Sequence, residues 1–104
     1  MALAASPTEA QHDRSAAVAR ALADPKRLCV LENLADGGER SVGDLSRCVG
    51  CQVPNMSQHL AVLRAAGIVA SRRQGSTVLY RIADHSVLDL VGALQRVAGD
   101  RAAS

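Results

Sequence analysis

The sequence predicts a mainly α-helical domain with a small β-hairpin, in the order α-α-α-α-β-β-α. Apolar residues recur at helical spacing in segments that proline and glycine separate. One stretch instead holds two β-type runs, at residues 68–73 and 77–82, and the glycine between them is typical of a hairpin. The length of 104 residues allows one compact domain, which we expect to span residues 8–99 with flexible ends at 1–7 and 100–104.

Asp24 and Pro25 separate the first two helices. Residues 8–23 are rich in alanine, and the first helix ends before Pro25 because the residue preceding a proline is disfavoured in a helix. Asp24 then predicts the N-cap of the second helix, with Pro25 in its first position. Apolar residues recur at helical spacing in this second helix: Leu28, Leu31 and Leu34.

Two further helices follow, joined by a tight connection at Gly50. Ser41 predicts the N-cap of the third helix. Pro54 suits the first turn of the fourth helix, and Gly67 suits its C-terminal end. The third helix contains Val42, Leu45 and Val49, and the fourth has an apolar stripe of Met56, Leu60 and Leu63.

The last helix, predicted over residues 86–98, has an apolar face wider than packing on one small domain requires. Its apolar residues are Val87, Leu88, Leu90, Val91, Leu94 and Val97. Tyr80 is the one aromatic residue, so the core is aliphatic and marginal at this length, and association of two copies would add stability. Two helices joined by a short connection and followed by a hairpin form a winged helix-turn-helix, an arrangement that binds DNA.

Positive charge is concentrated in the middle of the chain. The net charge is +2 overall, whereas residues 41–83 contain one acidic residue, Asp44, against five arginines. This distribution favours a surface that faces DNA phosphates, although a solvated basic face would have the same composition.

No apolar run is long enough to span a membrane, and neither a signal pattern nor a disulfide framework is present, so we expect a cytoplasmic protein without a membrane partner.

The sequence resembles the ArsR/SmtB family of bacterial metal- and thiol-responsive repressors over most of its length. The resemblance is carried by residues 21–28 (ALADPKRL), 41–45 (SVGDL) and 56–69 (MSQHLAVLRAAGIV), and by Gly75, Tyr80, Arg81 and Ile82 in the wing. It implies a homodimer joined by the first and last helices, which binds a palindromic operator with one recognition helix in each half-site. It also implies a repressor, not an enzyme, that releases DNA when an effector binds.

The fourth helix supplies most of the predicted DNA contacts. Ser57, Gln58 and His59 lie near its start, where hydroxyl, amide and imidazole groups can reach base edges. Gln52 and Asn55, at the helix entrance, can bond to bases or phosphates. For His59 the alternative is a surface histidine without a role.

Arginines extend the predicted interface beyond the helix start. Arg64 lies outside the apolar stripe of the fourth helix. Arg72 and Arg73 flank the wing turn and are expected at phosphates or in the minor groove. Arg81 fits a structural ion pair within the wing as well as it fits a DNA contact.

Cys48 and Cys51 form a C-x-x-C across the turn before the fourth helix. Such a dithiol can bind a soft metal or metalloid ion, such as As(III), Sb(III) or Cd(II), or close as a disulfide. Either event would shift the two helix ends that the thiols join. Cys29 is the one further thiol available for a three-thiolate site. The alternative is that the cysteines pack as small hydrophobes in a constitutive regulator.

Other sites and other protein classes fit the sequence less well. The third helix lacks closely spaced cysteines, and the last helix, with His85 at its start, has no second histidine and no cysteine. A thioredoxin-like oxidoreductase is excluded because a helix, not a strand, precedes the C-x-x-C. A zinc-dependent fold is disfavoured because three cysteines and the scattered histidines His12, His59 and His85 show no ligand spacing.

Overall fold

The structure is a computed structural model that describes residues 8–99. The segments 1–7 and 100–104, for which the sequence predicts flexible ends, lie outside the described residues. The elements in chain order are α1 (Glu9–Ala21), α2 (Pro25–Leu34), β1 (Arg40–Ser41), α3 (Val42–Val49), α4 (Val53–Ala65), β2 (Val69–Gln74), β3 (Thr77–Ile82) and α5 (Ser86–Val97). No helix within residues 8–99 is long and apolar enough to cross a membrane.

The predicted winged helix-turn-helix is confirmed, and the sheet has one strand more than the sequence indicates. β2 and β3 form the hairpin, and β1 pairs with β3 on its other side, so the antiparallel order is β1-β3-β2. β1 places Arg40 opposite Tyr80 and Ser41 opposite Leu79. A strand of two residues has no alternation to detect, and it exists because β3 offers a free edge. The prediction of a two-stranded sheet was therefore incomplete.

Side-chain caps begin α2 and α3, as the sequence predicts. The Asp24 carboxylate accepts hydrogen bonds from the backbone N–H groups of Lys26 (2.8 Å) and Arg27 (3.3 Å) at the start of α2. Desolvation raises the pKa of Asp24, but these backbone hydrogen bonds and the positive charge of Arg27 outweigh it, so the pKa lies below its ordinary value. Ser41 accepts from the N–H of Asp44 (3.1 Å) and begins α3.

The core lies where α2, α3 and α4 meet the base of the sheet. The apolar stripe of α4 is fully buried, as predicted, and so are Leu31 and Leu34 of α2 and Leu45 of α3, whereas Leu28 is partly buried. The fully buried side chains are Val30, Leu31, Leu34, Leu45, Met56, Leu60 and Leu63. Because this stripe fixes the rotation of α4 about its axis, it also fixes which side chains of α4 face solvent.

Gly50 makes the sharp turn between α3 and α4. It has a left-handed conformation with φ of 83°, which favours glycine, and its N–H donates to the carbonyl of Ser46 at 2.9 Å. The N–H of Cys51 donates to the same carbonyl at 3.1 Å. The turn thus has its own hydrogen bonds, and it sets the start of α4 at a defined angle to α3.

Candidate nucleic-acid interface

The N-terminal half of α4 presents an exposed polar surface. Gln52, Asn55, Ser57 and Gln58 are all exposed, whereas Met56 between them is fully buried. Gln52 is the N-cap residue, yet its side chain makes no capping hydrogen bond. Amide and hydroxyl groups at a helix start can bond to base edges, and the partial positive charge at that end favours phosphate. All four of these predicted contact residues are therefore accessible at the start of α4.

Arg64 extends this surface toward the other end of α4. It is exposed and lies in the last turn of the helix. Seven residues separate it from Ser57, which places the two on nearly the same side of the helix and about 10 Å apart along its axis. A long cationic side chain at that distance suits a phosphate of the DNA backbone.

His59 has different surroundings from the other predicted contacts on α4. Its ring is half-buried, and Nδ1 lies 3.2 Å from Nη1 of Arg27. Arg27 belongs to the first turn of α2, and sequence analysis did not single it out. No local pattern could have done so, because the contact joins residues 32 positions apart.

The two wing arginines also differ from each other. Arg73 is exposed, and its side chain makes no hydrogen bond or ion pair within residues 8–99. Arg72 is exposed too, but it donates from Nε and Nη2 to the two carboxylate oxygens of Glu39, at 2.6 and 2.7 Å. Nη2 also donates to Gln74 Oε1 at 3.1 Å. Part of the positive charge expected at the wing is thus balanced within the protein.

Glu39 is a functional candidate that sequence analysis missed. It immediately precedes β1, and the pairing of β1 with β3 brings it to the wing. The hydrogen bond from Arg72 lowers the pKa of Glu39 despite some desolvation, and the positive charges of Arg72 and Arg81 lower it further. The same pair raises the pKa of Arg72. Both side chains are therefore charged at neutral pH.

The three cysteines occupy two regions of the molecule. Cys48 is exposed at the end of α3, and Cys51, two residues beyond the end of that helix, is half-buried against the core. Cys29 lies on α2, where it lines a groove of about 480 Å³ together with Val91 and Leu94 of α5. Within residues 8–99 no three His, Cys, Asp or Glu side chains are grouped so that they could hold a metal ion. The structure thus does not bring Cys29 to the pair of thiols.

α5 exposes a stripe of large apolar residues. Leu90 and Leu94 are 42% and 41% exposed, and Val97 is 88% exposed. These residues lie four and three positions apart, so they follow one side of the helix. A stripe of this kind is typical of a surface that a partner covers.

Comparisons with known proteins agree with this architecture. A family model described as a helix-turn-helix domain matches residues 22–72. The chain is 44% identical over 89 residues to Rv0081 of Mycobacterium tuberculosis, an HTH-type transcriptional regulator, and the match covers 81% of this chain and 77% of that protein. It is 39% identical over 79 residues to the HTH-type transcriptional repressor SmtB of the same species, covering 76% of this chain and 58% of SmtB.

A solved structure shares the whole arrangement of elements. The solution structure of the homodimeric winged helix-turn-helix DNA-binding domain of Mb0332 from Mycobacterium bovis, described as a possible ArsR-family transcriptional regulator, superimposes with a TM-score of 0.77. The two sequences are 37% identical, and the match covers 88% of this chain and 83% of that one. The chain therefore belongs to the ArsR/SmtB family of winged helix-turn-helix transcriptional regulators.

Proposed function

We propose that this regulator is a homodimeric repressor, a DNA-binding protein of the cytoplasm rather than an enzyme, which recognises a palindromic operator. Each protomer inserts the start of α4 into the major groove and lays its wing along the adjacent DNA backbone. The observation that carries the proposal is the cluster of exposed hydrogen-bonding side chains at the start of α4, with basic residues on either side of it. Gln52, Asn55, Ser57 and Gln58 read bases, and Arg64 and Arg73 meet phosphates.

Dimerisation is part of the proposal because it creates the spacing between half-sites. The apolar stripe of α5 supports it, since Leu90 and Leu94 stay about two-fifths exposed within one protomer and Val97 is almost fully exposed. The homodimeric state of the Mb0332 domain supports it as well. A two-fold dimer presents two copies of α4 to two successive major grooves, which matches a palindromic site.

The direct test is fluorescence anisotropy with labelled DNA from upstream of the regulator's own gene and with a scrambled duplex of equal length. The double variant Asn55→Ala plus Gln58→Ala is expected to lose most of the preference for the upstream DNA, because each lost base contact reduces discrimination. His12→Ala, an exposed change on α1, is the matched control and should behave as wild type. Equal affinity of the double variant and the wild type for both duplexes would contradict the proposal.

We further propose that a thiol-reactive effector releases the DNA by binding Cys48 and Cys51. The exposure of Cys48 and the position of the two thiols on either side of Gly50 support this, because bridging them would alter the turn that sets the angle of α4. As(III), Sb(III) and Cd(II) are the effectors that a dithiol favours. A disulfide between the same two residues is the redox alternative, and a constitutive regulator with packed thiols is the other.

Repeating the anisotropy titration with arsenite, antimonite, cadmium and a mild oxidant separates these readings. We expect one of them to release the DNA from the wild type and from Cys29→Ser, but not from the double variant Cys48→Ser plus Cys51→Ser. The Cys29→Ser protein is the control, because its thiol lies in the separate groove at α5. Release of the double variant at the wild-type concentration would remove the pair from the mechanism.

A further inference from the structure

Arg27 joins three helices through one guanidinium group. Its side chain is 15% exposed and lies against the C-terminal end of α1. Nε donates to the carbonyl of Ala21 at 2.6 Å, and Nη2 donates to the carbonyl of Arg20 at 3.2 Å. The last carbonyls of a helix have no partner within the helix and carry a partial negative charge, so a buried arginine suits this position.

The remaining nitrogen of Arg27 reaches α4. Nη1 lies 3.2 Å from Nδ1 of His59 and 4.0 Å from a carboxylate oxygen of Asp24. A guanidinium has donors and no acceptor, so this hydrogen bond requires a lone pair on Nδ1. When Nδ1 accepts this hydrogen bond, the imidazole is neutral and its proton is on Nε2. Asp24 and Arg27 are the charged groups that face His59, one on the loop before α2 and one on α2.

We propose that Arg27 is a positioning residue for DNA recognition, which holds α4 against the end of α1 through neutral His59. His59 then acts indirectly: it fixes the half of α4 whose exposed side chains read bases, and it does not touch a base itself. This inference rests on the proposed function, because it concerns how the proposed reading surface is aligned. It extends that function to two residues that do not contact DNA.

Acidification distinguishes this role from a direct DNA contact. Protonation of His59 removes the acceptor at Nδ1 and adds a second cation beside the Arg27 guanidinium, so the connection breaks. If His59 instead touched a phosphate, protonation would add an attractive charge and strengthen binding to operator and random-sequence DNA alike, because phosphate contacts carry no sequence information. The positioning role therefore predicts that the operator preference falls in acid, whereas a phosphate contact predicts that it stays the same.

The experiment measures the ratio of affinities for operator and random-sequence DNA at about pH 7.5 and about pH 5.5, the two sides of the ordinary histidine range. We expect the wild-type ratio to fall several-fold in acid. His59→Gln keeps an acceptor that does not titrate, so its ratio should be the same at both pH values. Arg27→Gln should lower the ratio about tenfold at the higher pH, as expected for the loss of a hydrogen bond from a charged donor. Arg14→Gln removes the same charge from an exposed site on α1 and should leave the ratio unchanged.

A second measurement tests the connection without DNA. Nitrogen NMR of the free protein reports which ring nitrogen carries the proton, and we expect His59 protonated at Nε2 alone in the wild type and a mixture of tautomers in Arg27→Gln. A wild-type ratio that does not fall in acid, or an Arg27→Gln protein with the wild-type ratio and the wild-type tautomer, would overturn the inference. A wild type that does not distinguish operator from random DNA at either pH, with the expected tautomer present, would instead overturn the proposed function.

Discussion

Salt dependence should separate the two wing arginines, although they are neighbours in the sequence. The guanidinium group of Arg73 has no partner within residues 8–99, whereas that of Arg72 is paired with both carboxylate oxygens of Glu39. An arginine that neutralises a phosphate releases counterions, while one whose charge is already balanced by a carboxylate releases fewer. The informative perturbations are therefore Arg73→Ala, Arg72→Ala and Glu39→Gln, each in both protomers of the dimer.

The magnitude follows from the number of charges that meet phosphate. Each neutralised phosphate contributes about 0.9 to the slope of log affinity against log salt, so removing Arg73 from two wings should flatten the slope by about 1.8. Between about 50 and 200 mM salt this amounts to roughly a tenfold smaller loss of affinity than in the wild type. Arg72→Ala should flatten the slope by clearly less than Arg73→Ala does. Glu39→Gln frees Arg72 and should steepen the slope by up to about 1.8.

The assay is anisotropy with random-sequence DNA at five or more salt concentrations, since non-specific binding reports phosphate contacts alone. Asp13→Asn on α1 is the control for the loss of an acidic charge and should leave the slope as it is in the wild type. Equal slopes for Arg72→Ala and Arg73→Ala, together with an unchanged slope for Glu39→Gln, would refute the reasoning. That result would mean that DNA displaces Glu39 from Arg72 at no cost.

Three further predictions concern stability and assembly. Asp24→Ala should lower the free energy of unfolding in urea by about 1 kcal/mol through loss of the α2 cap. Because the folded-state pKa of Asp24 is lowered, this difference should be present above its unfolded pKa and should vanish as the pH falls through the folded value; a constant difference would contradict the cap. Gly50→Ala should cost about 1 kcal/mol through its left-handed backbone, since an added Cβ meets no atom within 4 Å, and unchanged thermal stability would argue against that conformation. Leu94→Glu should give monomers in analytical ultracentrifugation while the thermal unfolding of the monomer remains cooperative; a persistent dimer would exclude the α5 stripe from the interface.

The sequence predicted those parts of the fold that depend on local patterns. The apolar stripe of α4 predicted its buried side, and Asp24 and Ser41 predicted two helix starts that the structure confirms. These signals lie within three or four residues of their effect, so one sequence is enough to interpret them. The exposure of Asn55 and Gln58 followed from the same periodicity, because a stripe that faces the core leaves the opposite side in solvent.

The contacts that the sequence did not predict join distant residues. β1 exists only through its pairing with β3, and Glu39 meets Arg72 across 33 positions as a result of that pairing. Charge counting treated the wing as uniformly positive, since a count cannot show which carboxylate lies next to which arginine. His59 was predicted on the DNA-facing surface because it lies outside the apolar stripe of α4. The structure places its ring half-buried beside Arg27, a contact that the stripe could not indicate, and its contact with DNA stays a prediction that no observation here tests.

α2 is the geometric connection between the α5 groove and the proposed reading surface. Cys29 faces the groove beside α5, and Arg27, two residues earlier, contacts α1 and α4. Residues that are two positions apart in an α-helix are separated by about 200° around its axis. The side chains of Arg27 and Cys29 therefore point to nearly opposite sides of α2. A change at the groove that turned α2 would carry Arg27 with it, whereas a bridge between Cys48 and Cys51 would act on the turn at the start of α4. The two cysteine regions thus connect to α4 at different positions, one at His59 in its middle and one at the turn before its first residue, which is why Cys29→Ser and the Cys48 and Cys51 variants can be interpreted separately.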